Sequence, residues 1–198
     1  MSSSSRKIAS LSAPFREKLR NIKLIVLDVD GVLTDGLIIY GSEDIEIKAF
    51  NVQDGFGITM AQHAGLKFGI LTGRVSDTVA RRVKELHFDY YESGRFYKKD
   101  ALIRMIADAG LKREAVLYMG DDILDLVCQP HVGVFVAPGN ARARVKSSAD
   151  WVTKSQGGRG AVREMIDGLL EAQDKLQESE DYFISAQGLE QKDENICG

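Results

Sequence analysis

The stretch KLIVLDVDGVLTDG, residues 23–36, decides the fold. Its first half, Lys23-Leu24-Ile25-Val26-Leu27, is rich in leucine and β-branched residues with no polar alternation, as expected of a strand covered on both faces. It ends in carboxylates, Asp28 and Asp30. Similar runs recur at Phe68-Gly69-Ile70-Leu71, Ala115-Val116-Leu117-Tyr118-Met119 and Val132-Gly133-Val134-Phe135-Val136, with a weaker one at Phe88-Asp89-Tyr90-Tyr91. Between them Val79, Val83 and Leu86 share one helical face, as do Leu102, Ile106 and Ala109; Ser76 or Asp77 can cap the first helix, and Gly110 can stop the second. Val162, Met165, Ile166, Leu169 and Leu170 recur at i, i+3, i+4, i+7 and i+8, an amphipathic helix with a face to bury. Strand, helix, strand repetition predicts an α/β fold: an open parallel sheet with right-handed crossovers and helices on both faces, Rossmann-like in type.

The alternation defines one domain over residues 22–176. Residues 1–21 read as an N-terminal extension, and the polar, aperiodic residues 177–198 as a frayed, disordered tail. Residues 37–50, LIIYGSEDIEIKAF, read as two short strands around a turn of Gly41, Ser42, Glu43 and Asp44, a small β-hairpin inserted directly after the first strand.

Composition narrows the partners. With 44% apolar residues a sizeable core is available, and a net charge of −3 leaves no basic field for nucleic acid or an anionic membrane surface. No run approaches the roughly 18 uncharged apolar residues needed to span a bilayer, and no secretory h-region opens the chain. Cys128 and Cys197 make neither a disulfide framework nor a zinc site, so the expected compartment is the cytoplasm. His63, His87 and His131 lack mutual spacing and read as structural, Trp151 as core, and Cys128 as a small buried hydrophobe.

Ligand sites in open α/β sheets lie beyond the carboxyl ends of the strands. There the sequence places DVDGVLTDG (Asp28 to Gly36), TGR (Thr72, Gly73, Arg74) and GDDILD (Gly120 to Asp125), with Lys98 and Lys99 opening the helix after the weak strand. Asp28 and Asp30 share a face at a strand end, and burying two carboxylates together is costly without a cation. Asp121, Asp122 and Asp125 complete an all-oxygen set of the kind magnesium prefers, while Thr72, nearby amides and a lysine can hold phosphate. Each element alone is common in turns; four in this order, each at a strand end, are not.

DVDGVLTDG, TGR, the lysine and GDDxxD resemble the four motifs of the haloacid dehalogenase superfamily. NVQDGFGI (Asn51 to Ile58) and GGRGAVREM (Gly157 to Met165) resemble its capless branch, and within it the phosphatases of 3-deoxy-D-manno-octulosonate 8-phosphate, from about Lys23 to about Lys175. The resemblance implies a magnesium-dependent phosphomonoesterase in which Asp28 is the nucleophile and Asp30 the general acid and base. Asp28, Asp30 (through its carbonyl) and Asp121 would hold the metal, Asp122 and Asp125 would support them, and Thr72 and Lys98 would hold phosphate. Lys98 is preferred to Lys99 because it follows Gly94 by four residues, as in the family. Gly73, Arg74, Arg82 and Arg159 would bind substrate.

Nothing long enough to be a cap domain is inserted, so the site is expected to be open in a monomer. The expected assembly is a homotetramer, with a mobile glycine-rich segment around Gly157 to Arg163 closing a neighbour's site. Gln53 replaces the family's arginine, Val127 a proline, and ESGRFYK a glutamine-glycine segment. The alternative substrate is therefore a nonulosonate 9-phosphate, a sialic-acid relative. A third reading, a non-catalytic oligomerisation module of sugar-acid activation, is disfavoured by the retained Asp28, Asp30, Thr72, Lys98 and Asp121.

Overall fold

The computed structural model describes residues 12–42 and 45–194, with side chains described up to residue 185. Residues 1–11 of the expected extension, turn residues Glu43 and Asp44, and the end of the expected tail with Cys197 lie outside the described residues.

Six strands form one parallel sheet: β1 (Leu24–Leu27), β4 (Lys67–Leu71), β5 (Tyr90–Glu92), β6 (Val116–Met119), β7 (Val134–Ala137) and β8 (Trp151–Val152), in the order β5-β4-β1-β6-β7-β8. β2 (Ile39–Tyr40) and β3 (Glu46–Ile47) pair antiparallel as the expected hairpin, with Ile39 opposite Ile47. The helices are α1 (Ala13–Arg20), α2 (Val52–His63), α3 (Asp77–Glu85), α4 (Lys98–Asp108), α5 (Ala143–Ser148), α6 (Ala161–Ala172) and α7 (Leu176–Glu194).

Unbroken apolar strands imply two covered faces, and alternate side chains of one strand enter separate cores. Ile25 and Leu27 of β1 join Phe68, Ile70, Leu117, Met119, Val134 and Val136 beneath α1, α2, α3 and α6. Leu24 and Val26 join Val116, Tyr118 and Phe135 beneath α4 and α5. The five residues of the expected amphipathic stripe on α6 are all buried in the first core. Local chemistry sets the helix starts. Asn51 accepts from Gln53 N and Asp54 N at the head of α2, and Ser76 accepts from Val79 N at the head of α3.

From β1 the chain winds outward through β4 to β5, then crosses back to build β6, β7 and β8 on the other side. That reversal opens a crevice at the carboxyl end of β1, where Asp28 begins.

The frayed tail expected over 177–198 is corrected by α7, which carries the backbone as a helix to Glu194. Its early turns dock through aromatic rings: Tyr182 stacks on His63 with centroids 3.7 Å apart, and Phe183 meets Phe56 edge-on at 5.2 Å. The expected extension likewise includes α1, whose Leu19 is buried in the core and whose Phe15 packs beside Trp151. Among the described residues no helix is long and apolar enough to cross a membrane.

Candidate active site

β1, β4 and β6 end side by side, so the residues following them converge. Asp28 extends the β1 pairing by donating its N–H to Met119 O at 3.0 Å, and the chain turns at Gly31, whose φ of +88° favours glycine. A Cβ on Gly31 would overlap the Asp121 carboxylate, so the absence of a side chain there lets the two acidic loops meet.

Lys98, at the first turn of α4, points into this junction with its side chain 4% exposed. Its Nζ lies 2.9 Å from Asp28 Oδ1 and 2.6 Å from Asp125 Oδ1, so one ammonium bridges two carboxylates. Asp125 is fully engaged: Oδ1 also accepts from Tyr118 OH at 2.7 Å, while Oδ2 accepts from Asp121 N at 3.0 Å and Asp122 N at 3.1 Å. It therefore fixes the GDD loop and Lys98 with no lone pair conspicuously free. Asp122 caps its own short 3₁₀ turn over Ile123–Val127.

One carboxylate oxygen each of Asp28, Asp121 and Asp125 lies within 4.8 Å of the others. Burial, opposed by Lys98 and reinforced by the Asp125 charge, pushes the Asp28 carboxyl up to about 7. Burial, with the charges of Asp28, Asp125 and Asp122, pushes Asp121 to about 7 as well. Two carboxylates that resist ionisation, beside a third already saturated by donors, fit a hard divalent cation held by Asp28 and Asp121. Burial works against the charge of Lys98, but Asp28 and Asp125 outweigh it and raise its pKa.

Thr72, just past β4, is buried; its N–H donates to Glu92 O at 2.9 Å and its Oγ1 accepts from Arg74 N at 3.4 Å. The hydroxyl proton remains available to a phosphate oxygen. Gly73 beside it is exposed.

Asp30 turns toward the hairpin, where its Oδ1 pairs with Lys48 Nζ. Lys48 carries no signal of its own in the sequence, since a lysine closing a polar hairpin strand reads as solvated. Its side chain is 0% exposed. Arg74 also leans on the hairpin, with Nη2 3.0 Å from Glu46 Oε2 and 3.3 Å from Tyr40 OH. Arg82 stands apart from this constellation: its guanidinium lies over the Phe50 ring at 5.7 Å and bonds Glu85 at 3.5 Å. Arg159 reaches the edge of the turn, 3.7 Å from Asp35 Oδ2.

The mobility expected of the Gly157 to Arg163 segment is overturned by its packing within its own chain. A Cβ on Gly157 would overlap Gly31 O, Gly157 N donates to Asn140 Oδ1 at 2.6 Å, and Gly158 N donates to Val32 O at 2.9 Å. Asn140 also donates to Gly31 O at 3.1 Å, clamping the two loops together. Asp54 of α2 then accepts from Gly160 N at 3.3 Å and Arg163 N at 2.8 Å, capping α6. The glycines are there because two backbones touch, and the segment is held rather than free.

Residues 91–166 match the family described as haloacid dehalogenase-like hydrolase. The chain is 41% identical to the 3-deoxy-D-manno-octulosonate 8-phosphate phosphatase KdsC of Escherichia coli K12 over 174 residues, which cover 88% of this chain and 93% of that one. It superposes with a TM-score of 0.82, at 37% identity, on the phosphatase of the same name from Moraxella catarrhalis in complex with a magnesium ion, a phosphate ion and a KDO molecule, covering 89% of this chain and 99% of that one. The cobalt-bound deoxy-D-mannose-octulosonate 8-phosphate phosphatase of Haemophilus influenzae gives 0.78 at 40% identity, covering 80% and 93%. This chain thus belongs to the family of the 3-deoxy-D-manno-octulosonate 8-phosphate phosphatases, among the haloacid dehalogenase-like hydrolases.

Proposed function

We propose that the chain hydrolyses 3-deoxy-D-manno-octulosonate 8-phosphate to the free sugar acid and phosphate, with magnesium held by the carboxylates of Asp28 and Asp121 and the carbonyl of Asp30. The observation that carries the reading is the buried Asp28 carboxylate, fixed on Lys98 and facing Asp121 at the end of β1. Magnesium supplies charge neutralisation between carboxylates and phosphate, and orients the phosphate.

The chain's own residues do the rest. A carboxylate approaching a phosphate dianion meets about 4 kcal/mol of repulsion per charge pair at ~4 Å and an effective dielectric near 20. Lys98 offsets part of that and, with the Thr72 hydroxyl, grips phosphate oxygens. Asp28 attacks phosphorus and the P–O bond to the sugar breaks. Asp30 delivers a proton to the departing oxygen, then takes one from the water that cleaves the aspartyl phosphate and restores Asp28. Gly73, Arg74 and Arg159 line the approach, Arg74 from the rim of the hairpin.

The open rim supports a homotetramer built on the hairpin, which exposes Leu37, Ile39, Tyr40, Ile45 and Ile47 on one small element. A reducing cytoplasm suits the buried free thiol of Cys128.

The test is phosphate release, with native mass measured in parallel. The eight-carbon substrate is expected to give a higher kcat/KM than a nonulosonate 9-phosphate, and both a higher value than glucose 6-phosphate. EDTA should abolish turnover, and Asp28→Asn should lower it by at least about 10⁴-fold while leaving the fold intact. Preference for the nine-carbon acid would move the substrate; turnover surviving Asp28→Asn would end the mechanism.

A further inference from the structure

Lys48 is a strange residue to find without solvent. Burying an ammonium is costly unless partners compensate it, and a lysine on a two-stranded surface hairpin has an easy alternative in water. Its side chain is nevertheless 0% exposed, between two carboxylates: Asp30, and Glu46 at 3.9 Å.

The two partners differ in kind. Glu46 is fastened from several directions: Ser76 Oγ donates to its Oε1 at 2.6 Å, Arg74 Nη2 to its Oε2 at 3.0 Å, and Thr78 Oγ1 to its main-chain oxygen at 3.1 Å. It ties the hairpin to the head of α3 and cannot leave without breaking that set. Asp30 has only Lys48 as a side-chain partner in its pairs among the described residues, and its own side chain is 22% exposed. Lys48 therefore has one permanent counter-ion and one that can exchange.

We propose that Lys48 is the positioning residue for Asp30: reaching in from the hairpin, it selects the rotamer from which Asp30 serves the leaving oxygen and the water. This rests on the function proposed above and on Asp30 as its acid and base. It makes the hairpin part of the active site, whatever else its exposed face binds. Lys98, and not Lys48, is the lysine paired with Asp28.

A residue that acts through the proton donor must matter in proportion to how much the leaving group needs a proton. The variants Lys48→Met and Lys48→Gln, the second retaining a hydrogen-bond donor should the first fail to fold, are compared with wild type on the octulosonate phosphate and on an aryl phosphate whose phenolate leaves unprotonated. Expected is a fall in kcat/KM of about 10- to 100-fold on the sugar phosphate, a part of the 10²–10⁴ that general acid catalysis contributes. On the aryl phosphate kcat/KM should change less than about threefold, while steady-state kcat falls and a burst of phenolate appears, because Asp28 is still phosphorylated and water attack is slowed. In an Asp30→Asn background the same Lys48 change should add nothing. Equal losses on both substrates, no loss on either, or full additivity with Asp30→Asn would overturn the inference. A wild type that releases phosphate from neither substrate would instead overturn the proposed function.

Discussion

The two edges of the central sheet are both charged, and they hold charge in opposite ways. At the amino edge, where α2, α4 and α6 end, a cleft of about 510 Å³ is lined by Arg20, Lys23, Lys67 and Lys175 against Asp174. Two of these cations serve the helix ends directly: Arg20 Nε donates to Ala172 O at 3.1 Å and Lys175 Nζ to Ala64 O at 2.7 Å. Carbonyls left over at a helix terminus carry the negative end of its dipole, so cation and peptide satisfy each other with no third party. At the carboxyl edge Asp28, Asp30, Asp121 and Asp125 face two ammonium groups, Lys48 and Lys98. Negative charge is left over and buried. One edge is complete as folded, and the other is a demand for a ligand.

The largest expected break in that contrast is Lys98→Met. Removing one partner of a buried ion pair costs roughly 3–5 kcal/mol, because Asp28 and Asp125 keep their burial and lose their cation. Chemical denaturation without metal should show most of that loss, and magnesium should recover part of it; a near-neutral variant would mean that Lys98 is not compensating the cluster.

A smaller effect sharpens the comparison through pH. In the metal-free protein the Asp28 and Asp121 carboxyls rise from the ordinary 3.8 to about 7, so between those values the folded state holds more protons than the unfolded one. Stability must then fall as pH climbs from about 4 to about 7 and flatten above it. Magnesium replaces those protons, so the rise in Tm it produces should be several degrees greater at pH 8 than at pH 5, at roughly 2–4 °C per kcal/mol for a domain this size. A Tm shift independent of pH would dismiss the linkage.

The smallest effect belongs to the other edge. Lys175→Ala removes one part-buried hydrogen bond to a helix end and should cost about 1 kcal/mol, with kcat and KM unchanged and no dependence on magnesium. Altered turnover would show that the two edges communicate.

Much of the carboxyl edge was legible in the sequence because burial and charge collide there in short, local words: an apolar strand, then Asp28 and Asp30, and again at Gly120 to Asp125. Lys48 was not legible, since its burial is decided by how the hairpin folds over Asp30, which no local pattern records. Arg82 lies on α3, beyond the loop that carries Arg74, and in space Phe50 claims it. The helix α7 lacks an apolar stripe and is anchored by two consecutive aromatics, Tyr182 and Phe183, on His63 and Phe56, a contact with no period to detect. Gly157 and Gly158 mislead for another reason. A glycine that needs freedom and a glycine that has no room are the same letter, and only the neighbouring backbone distinguishes them.

That last contact also sets an order of events. The loop carrying Asp28 is synthesised early, but the backbone that braces it, Asn140 with Gly157 and Gly158, leaves the ribosome late, followed by the α6 helix that Asp54 caps. Domains complete their packing as the chain is delivered. A partial chain thus carries Asp28 and Asp30 on a loop that still lacks the clamp of Asn140, Gly157 and Gly158, and the crevice is braced from this side only when that closing segment arrives.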